Sequence, residues 1–203
     1  MGFLPPPTAK GVRQSEAVIH AAVRCLARDG YSASSIGRIA EEAGVQKRMV
    51  LYYFESREQL FDVVVRRIGD QLLGQLQEAL EGLREPADIV SAGFDQLWDR
   101  LTSDRALLAA YFGLVAESVT DPHLRKSVGY INEGYRRLIH KLSQDLEAQG
   151  RRLTIDEQAL TVLIIAGIQG LTLEYLERGD SPALRVAIDV FQGWLSSVAQ
   201  LQG

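Results

Sequence analysis

Five residues with chemistry to offer fall within one short stretch: Lys47, Arg48, Met49, Tyr52 and Tyr53. At helical spacing Arg48 and Tyr52 share one face, Met49 and Tyr53 a neighbouring face, and Val50 and Phe54 an apolar inward one. Cations, a thioether and phenols suit a nucleic acid duplex. Arginine pairs bidentately with guanine, methionine covers a thymine methyl, and tyrosine hydroxyls reach phosphate oxygens. Chemistry alone leaves a second reading open, in which Tyr52 and Tyr53 pack between helices. No G-x-S-x-G, Walker, G-x-G-x-x-G or H-E-x-x-H pattern occurs, so no enzyme is expected. His20, His123 and His140 are scattered, and with the lone Cys25 they offer no metal-ligand spacing, so neither a metal nor a cofactor is expected. Cys25 lies on an apolar stripe and reads as a small core residue. His123, beside Asp121, reads as part of a helix start.

The elements that must position Lys47 to Tyr53 are helical. Apolar residues recur at three and four through nearly the whole chain, without sustained alternation, which predicts an all-α fold of about nine helices. Ala17, Val18, Ala21, Ala22, Cys25 and Leu26 form one stripe that stops at Asp29-Gly30. Ser34-Ser35 caps a short helix from Ile36 to Ala43, ended by Gly44, and a second short helix runs from about Gln46 to Tyr53. Two brief helices joined by a glycine turn are the layout of a helix-turn-helix, whose second helix fits a major groove about 12 Å wide. Capping boxes at Ser56-Arg-Glu-Gln59 and Thr154-Ile-Asp-Glu157 predict two further helix starts. Asp121-Pro122 and Ser181-Pro182 predict two more.

With 203 residues, 46% hydrophobic and 24% charged, the chain is long enough for one or two packed domains and too apolar for disorder. Residues 1–60 carry eight basic and six acidic side chains; the rest carries 14 and 20. That asymmetry is compatible with a polyanion partner for the head only. Nothing in the first ten residues exports or anchors the chain, and a single cysteine suits a reducing compartment, so the expected location is cytoplasmic. The uncharged run from Gln158 to Leu173 falls short of a membrane span and reads as a buried helix.

Residues 13–60 resemble the DNA-binding domain of tetracycline-repressor-type (TetR family) regulators. The resemblance is carried by Ala21-Ala22, Gly30-Tyr31, Ser34-Ser35-Ile36, Ile39-Ala40, Ala43-Gly44-Val45, Lys47, Tyr52, Phe54, Ser56 and Glu58 to Leu60. It implies a three-helix DNA-binding domain over residues 1–60, with residues 1–11 a flexible arm, and a larger helical domain over 61–203 for effector binding and dimerisation. Carried over by position, Lys47, Arg48, Met49, Tyr52 and Tyr53 resemble recognition-helix contacts, while Ser34 or Ser35, and Arg57, resemble phosphate contacts. Leu51 departs from the family's usual aromatic, Gln46 from its serine and Arg57 from its lysine. Gly37 stands where some members carry a base-reading cation, which leaves Arg38 as a substitute.

The resemblance further implies a homodimer through the last two helices, with Ile164, Gly167, Leu171, Ala187, Phe191 and Leu195 at the interface and a palindromic operator to match. An effector pocket is expected among Phe94, Trp98, Tyr111, Phe112 and Tyr135, because such pockets are mostly aromatic and apolar. The implied function is a ligand-responsive repressor released from double-stranded DNA by a small molecule, without membrane involvement. Two alternatives stand beside it: an all-helical sensor or interaction module that does not bind DNA, and a regulator that activates.

Overall fold

The computed structural model describes residues 8–83 and 85–201, so the first seven residues of the expected arm lie outside the described residues. The remainder of that arm is already structured. Thr8 accepts a bond from the Gly11 N–H at 3.1 Å and caps helix α1 (Ala9–Ala33). The stop expected at Gly30 is a kink: Gly30 takes φ +76°, and one more turn follows before Ser34. Next come α2 (Ile36–Glu42), α3 (Lys47–Phe54), α4 (Arg57–Leu80), α5 (Pro86–Val90), α6 (Ala92–Ser103), α7 (Arg105–Ser118), α8 (Pro122–Ala148), α9 (Glu157–Arg178) and α10 (Pro182–Val198). The all-α reading holds. Ten helices are described rather than nine, because the segment after Glu85 divides into α5 and α6 at Ser91. A ribbon the sequence did not announce joins β1 (Arg151–Leu153) antiparallel to β2 (Ala199–Leu201). Three residues per strand are too few for alternation to register.

Packing divides the chain into two compact units. The first runs to Gly69 and resumes over Ala106–Tyr130; the second comprises Asp70–Arg105 and Ile131 onward. In the first, Val18, Ala22, Ile39, Val50, Phe54, Phe61 and Val64 are buried, so α1 to α4 share one core. Within it Asp62 on α4 accepts from Ser127 Oγ and lies 3.2 Å from His123 Nε2 on α8. Asp121 caps α8 by accepting from the N–H groups of His123 and Leu124 at 2.8 and 3.2 Å. His123 is thus a helix-start residue, as its spacing suggested, with its ring turned to α4.

In the second unit the start of α9 lies two residues beyond the expected capping box. Asp156, not Thr154, caps it, accepting from the Ala159 N–H at 2.9 Å. Thr154 instead donates its hydroxyl to the Val198 carbonyl at 3.2 Å, fastening the end of α10 to the ribbon. Ser181 caps α10 as expected, through the Leu184 N–H at 3.1 Å. The larger correction concerns α9, expected to be buried. By length and composition it could cross a membrane, yet only Leu160, Thr161 and Thr172 of its 22 residues are buried in the chain's own core. Val162, Leu163 and Leu173 stand exposed, as do Val186 and Val190 of α10.

Candidate nucleic-acid interface

The turn between α2 and α3 is dictated by one glycine. Gly44 takes φ +66°, which lets its N–H bond the Glu41 carbonyl at 3.1 Å while the Val45 N–H reaches back to Ala40 at 2.9 Å. This double closure uses two carbonyls the helix end would leave unpaired, and an L side chain at residue 44 would strain it. The chain therefore reverses within three residues and sets α3 across α2, with Ile36, Ile39, Val50 and Phe54 buried. An isolated eight-residue helix is unstable in water, so α3 owes its shape to that buried face.

On its other side α3 presents Lys47, Arg48, Leu51 and Tyr52 to solvent, with Met49 half-buried at the edge. Among the described residues neither Lys47 nor Arg48 belongs to an ion pair, so both charges are available to an incoming anion. The two tyrosines separate. Tyr52 is 57% exposed, whereas Tyr53 is 9% exposed and donates its hydroxyl to Gln14 Oε1 on α1 at 2.9 Å. Tyr52 keeps the outward role; Tyr53 is the packing residue that the second reading of these phenols allowed.

The expected phosphate contacts separate in the same way. Ser35 is exposed and caps α2, accepting from the Arg38 N–H at 3.3 Å. Ser34 is fully buried, its hydroxyl donated to the Gly30 carbonyl at 2.7 Å, which closes the end of α1. Arg57 opens α4 but turns inward. Its guanidinium lies 4.1 Å from the Tyr31 ring centre and 4.7 Å from that of Phe61, and it donates to the Tyr31 and Ser34 carbonyls at 2.6 and 3.3 Å. Two rings and two carbonyls make this a clamp between α4 and the α1–α2 junction. Burial raises the Tyr31 phenol above its ordinary pKa, so it stays neutral beneath that cation. Ser56 supplies half of its expected capping box, accepting from the Gln59 N–H at 3.1 Å, while Gln59 Oε1 has no hydrogen-bond partner among the described residues. Arg38 is paired with Asp29 at 3.1 Å. Gln14 and Asp29 carried no signal in sequence, because each acquires its partner only through tertiary packing.

Of the expected effector residues, Phe94 and Trp98 stack on α6 and continue into an aromatic string, Phe94 to Phe191 and Trp98 to Tyr175. Tyr111 and Phe112 form an edge-to-face pair in the other unit. Tyr135 is half-buried on α8. Of the expected interface residues, Gly167, Leu171, Ala187 and Phe191 line an open apolar groove of about 480 Å³ between α9 and α10, and Ile164 and Leu195 are half-buried nearby. Phe191 serves its own chain first: its ring seats on Gly167 so closely that a Cβ there would overlap it.

A glycine-turned helix pair that seats its second helix by an apolar face and offers cations and a phenol from that helix's opposite face defines a helix-turn-helix DNA-binding protein. The family model for bacterial regulatory proteins of the tetR family matches residues 18–64, and that for the C-terminal part of BetI-type transcriptional repressors matches residues 86–200. The chain belongs to the tetR family and is a ligand-responsive, DNA-binding transcriptional regulator. It is 23% identical over 171 residues to the nicotine-responsive transcriptional repressor HdnoR of Paenarthrobacter nicotinovorans, covering 84% of this chain and 88% of that one. With the regulator RutR of Escherichia coli K12 it shares 38% identity over 64 residues, 32% of this chain and 30% of that one. A crystal structure of a TetR-family regulator from a Rhodococcus species superposes with a TM-score of 0.76 at 19% identity, over 93% of this chain and all of the other.

Proposed function

We propose that the protein acts as a cytoplasmic homodimeric repressor, with residues 1–60 of each copy holding α3 against one half of a palindromic operator. The observation that carries this reading is the asymmetry of α3, buried through Val50, Tyr53 and Phe54 and charged through Lys47 and Arg48. Lys47, Arg48, Met49 and Tyr52 are the residues assigned to the groove and Ser35 to the phosphate backbone; Arg38 moves from the base-reading role of a Gly37 substitute to the backbone as well, because it stands on α2, the helix that crosses the backbone in this motif. Tyr53, Ser34 and Arg57 hold the head in shape. One short helix reads only a few base pairs, so two heads about 34–36 Å apart are needed to single out a site.

The second copy is assigned to the exposed apolar face of α9 and α10. A small-molecule effector is assigned to residues 61–203, with Phe94, Trp98 and Tyr135 of the second unit as its candidate contacts. The aromatic string that includes Phe94 and Trp98 supports part of that set. Effector binding would then weaken operator binding through linkage, typically by a factor of about 5–150. The test selects bound duplexes from a random pool and screens metabolites for release of the selected duplex. Recovery of an inverted repeat and a releasing compound supports the reading. A pool that yields no common sequence, from protein shown to be folded, overturns it.

A further inference from the structure

We propose that Asp29 sets the DNA affinity of this regulator by competing with backbone phosphate for the Arg38 guanidinium. The inference rests on the assignment of Arg38 to the phosphate backbone. Arg38 lies on the exposed side of α2 and its side chain is 54% exposed, yet its Nη2 is held 3.1 Å from Asp29 Oδ2. Asp29 sits at the last regular turn of α1, just before the Gly30 kink, with its side chain only 17% exposed. The kink fixes the carboxylate in place, and α2 then brings Arg38 to it.

Asp29 does not need Arg38 for its own neutralisation. Arg28 already binds it with both prongs, Nε to Oδ1 at 3.1 Å and Nη2 to Oδ2 at 3.0 Å. Arg28 also reaches Glu42 at 3.0 Å, and Arg24 bonds the same carboxylate at 2.8 Å. Three guanidiniums thus share two carboxylates, leaving one positive charge in surplus. Arg38 stands at the end of the row and is held by a single oxygen, so it is the cation released at least cost. A phosphate that takes Arg38 breaks one exposed ion pair and leaves Asp29 paired with Arg28. Lys47 and Arg48 face no such competition, since neither has an ion-pair partner among the described residues. The carboxylate therefore lowers affinity through the phosphate contact without touching the residues assigned to base reading.

The test is a double-mutant cycle, titrating a duplex enriched by the unmutated protein from a random pool. Asp29→Asn keeps the side-chain shape and should tighten binding about two- to fivefold, the scale of one exposed ion pair. In an Arg38→Ala background the same change should have no effect. Arg28→Gln works in the opposite direction: it leaves Asp29 to Arg38 alone and should weaken binding, again only while Arg38 is present. Melting of each variant verifies that it is folded. Equal gains from Asp29→Asn in both backgrounds would reduce its role to a charge in the general field and overturn the proposal. Loss of all gain in folded protein, with Arg28→Gln also silent, would overturn it too. If Arg38→Ala alone leaves both affinity and salt slope unchanged, the phosphate assignment fails, and the competition with it.

Discussion

Helices α3 and α9 both leave much of their surface outside the core of their own unit, and they do so with opposite chemistry. α3 turns Lys47, Arg48 and Tyr52 outward, groups that water solvates well, so the helix is at ease bare. α9 and α10 turn out Val162, Leu163, Leu173, Val186 and Val190, and each square ångström of such surface costs about 25 cal/mol until it is covered. A bare charged helix can wait for a transient partner; a bare apolar face calls for a permanent one. The difference teaches which contact comes first: the proposed dimer forms at α9 and α10, and the two copies of α3 then act as a pair.

The sharpest way to break this comparison is to charge the apolar face. Val190 is 67% exposed, so Val190→Asp leaves the fold of one chain intact while placing a carboxylate in the groove. It should render the protein monomeric in sedimentation and weaken operator binding on the order of a thousandfold, towards the non-specific level. Phe191→Asp is a poorer probe, because that ring packs on Gly167 within its own chain. A folded monomer with full operator affinity would separate the two faces and end the comparison.

Next in size is a contrast on the charged side. Arg48→Ala should lose about 1–3 kcal/mol of operator binding and relax base preference at one position. Arg57→Ala should lower the melting temperature and weaken all duplexes evenly, with the salt slope unchanged, because its guanidinium is committed to Tyr31, Phe61 and two carbonyls. Competition binding and salt titration of both variants decide the matter. A slope shallower by about one in Arg57→Ala would return that residue to the phosphate.

Of similar size, but read in stability rather than in DNA binding, is Gly167→Ala, whose methyl would meet the Phe191 ring. Forcing the two helices apart should cost about 1–3 kcal/mol of stability in denaturant melts, and Phe191→Leu should recover part of it. The smallest effect is acid sensitivity of the α1–α2 junction. Arg28 holds the Asp29 carboxyl below its usual range, and Arg24 does the same for Glu42. A folded-state value below the unfolded one adds stability at neutral pH and withdraws it as pH falls through the carboxylate range. Melting temperature against pH should therefore fall less steeply in Asp29→Asn with Glu42→Gln than in the unmutated protein.

Legibility differed among residues that looked alike. Ser34 and Ser35 are neighbours of one type, and the sequence left open which of them meets a phosphate; packing buries the first and exposes the second. Tyr52 and Tyr53 divide similarly, since successive helical residues point about 100° apart and only one direction faces α1. Thr154 satisfies the pattern of a capping box yet bonds the end of α10, because a hydroxyl takes whichever carbonyl packing brings near.

What the sequence determined by itself was local: helix periodicity, the Gly30 and Gly44 breaks, the caps at Ser35, Asp121 and Ser181, and the array of Lys47, Arg48 and Tyr52 on one short helix. Each depends on residues within about one turn of one another, so spacing alone expresses it. Tertiary structure alone decided that Arg57 is a clamp, that Tyr53 is tied to Gln14, that Arg38 is held by Asp29, and that α9 presents an apolar face. Those outcomes turn on partners 9 to 39 residues away or, for the exposed face of α9, on the lack of a covering element among the described residues. An arginine or an apolar helix reads the same in sequence whether its neighbour is its own chain or another molecule, and only the packed core distinguishes them.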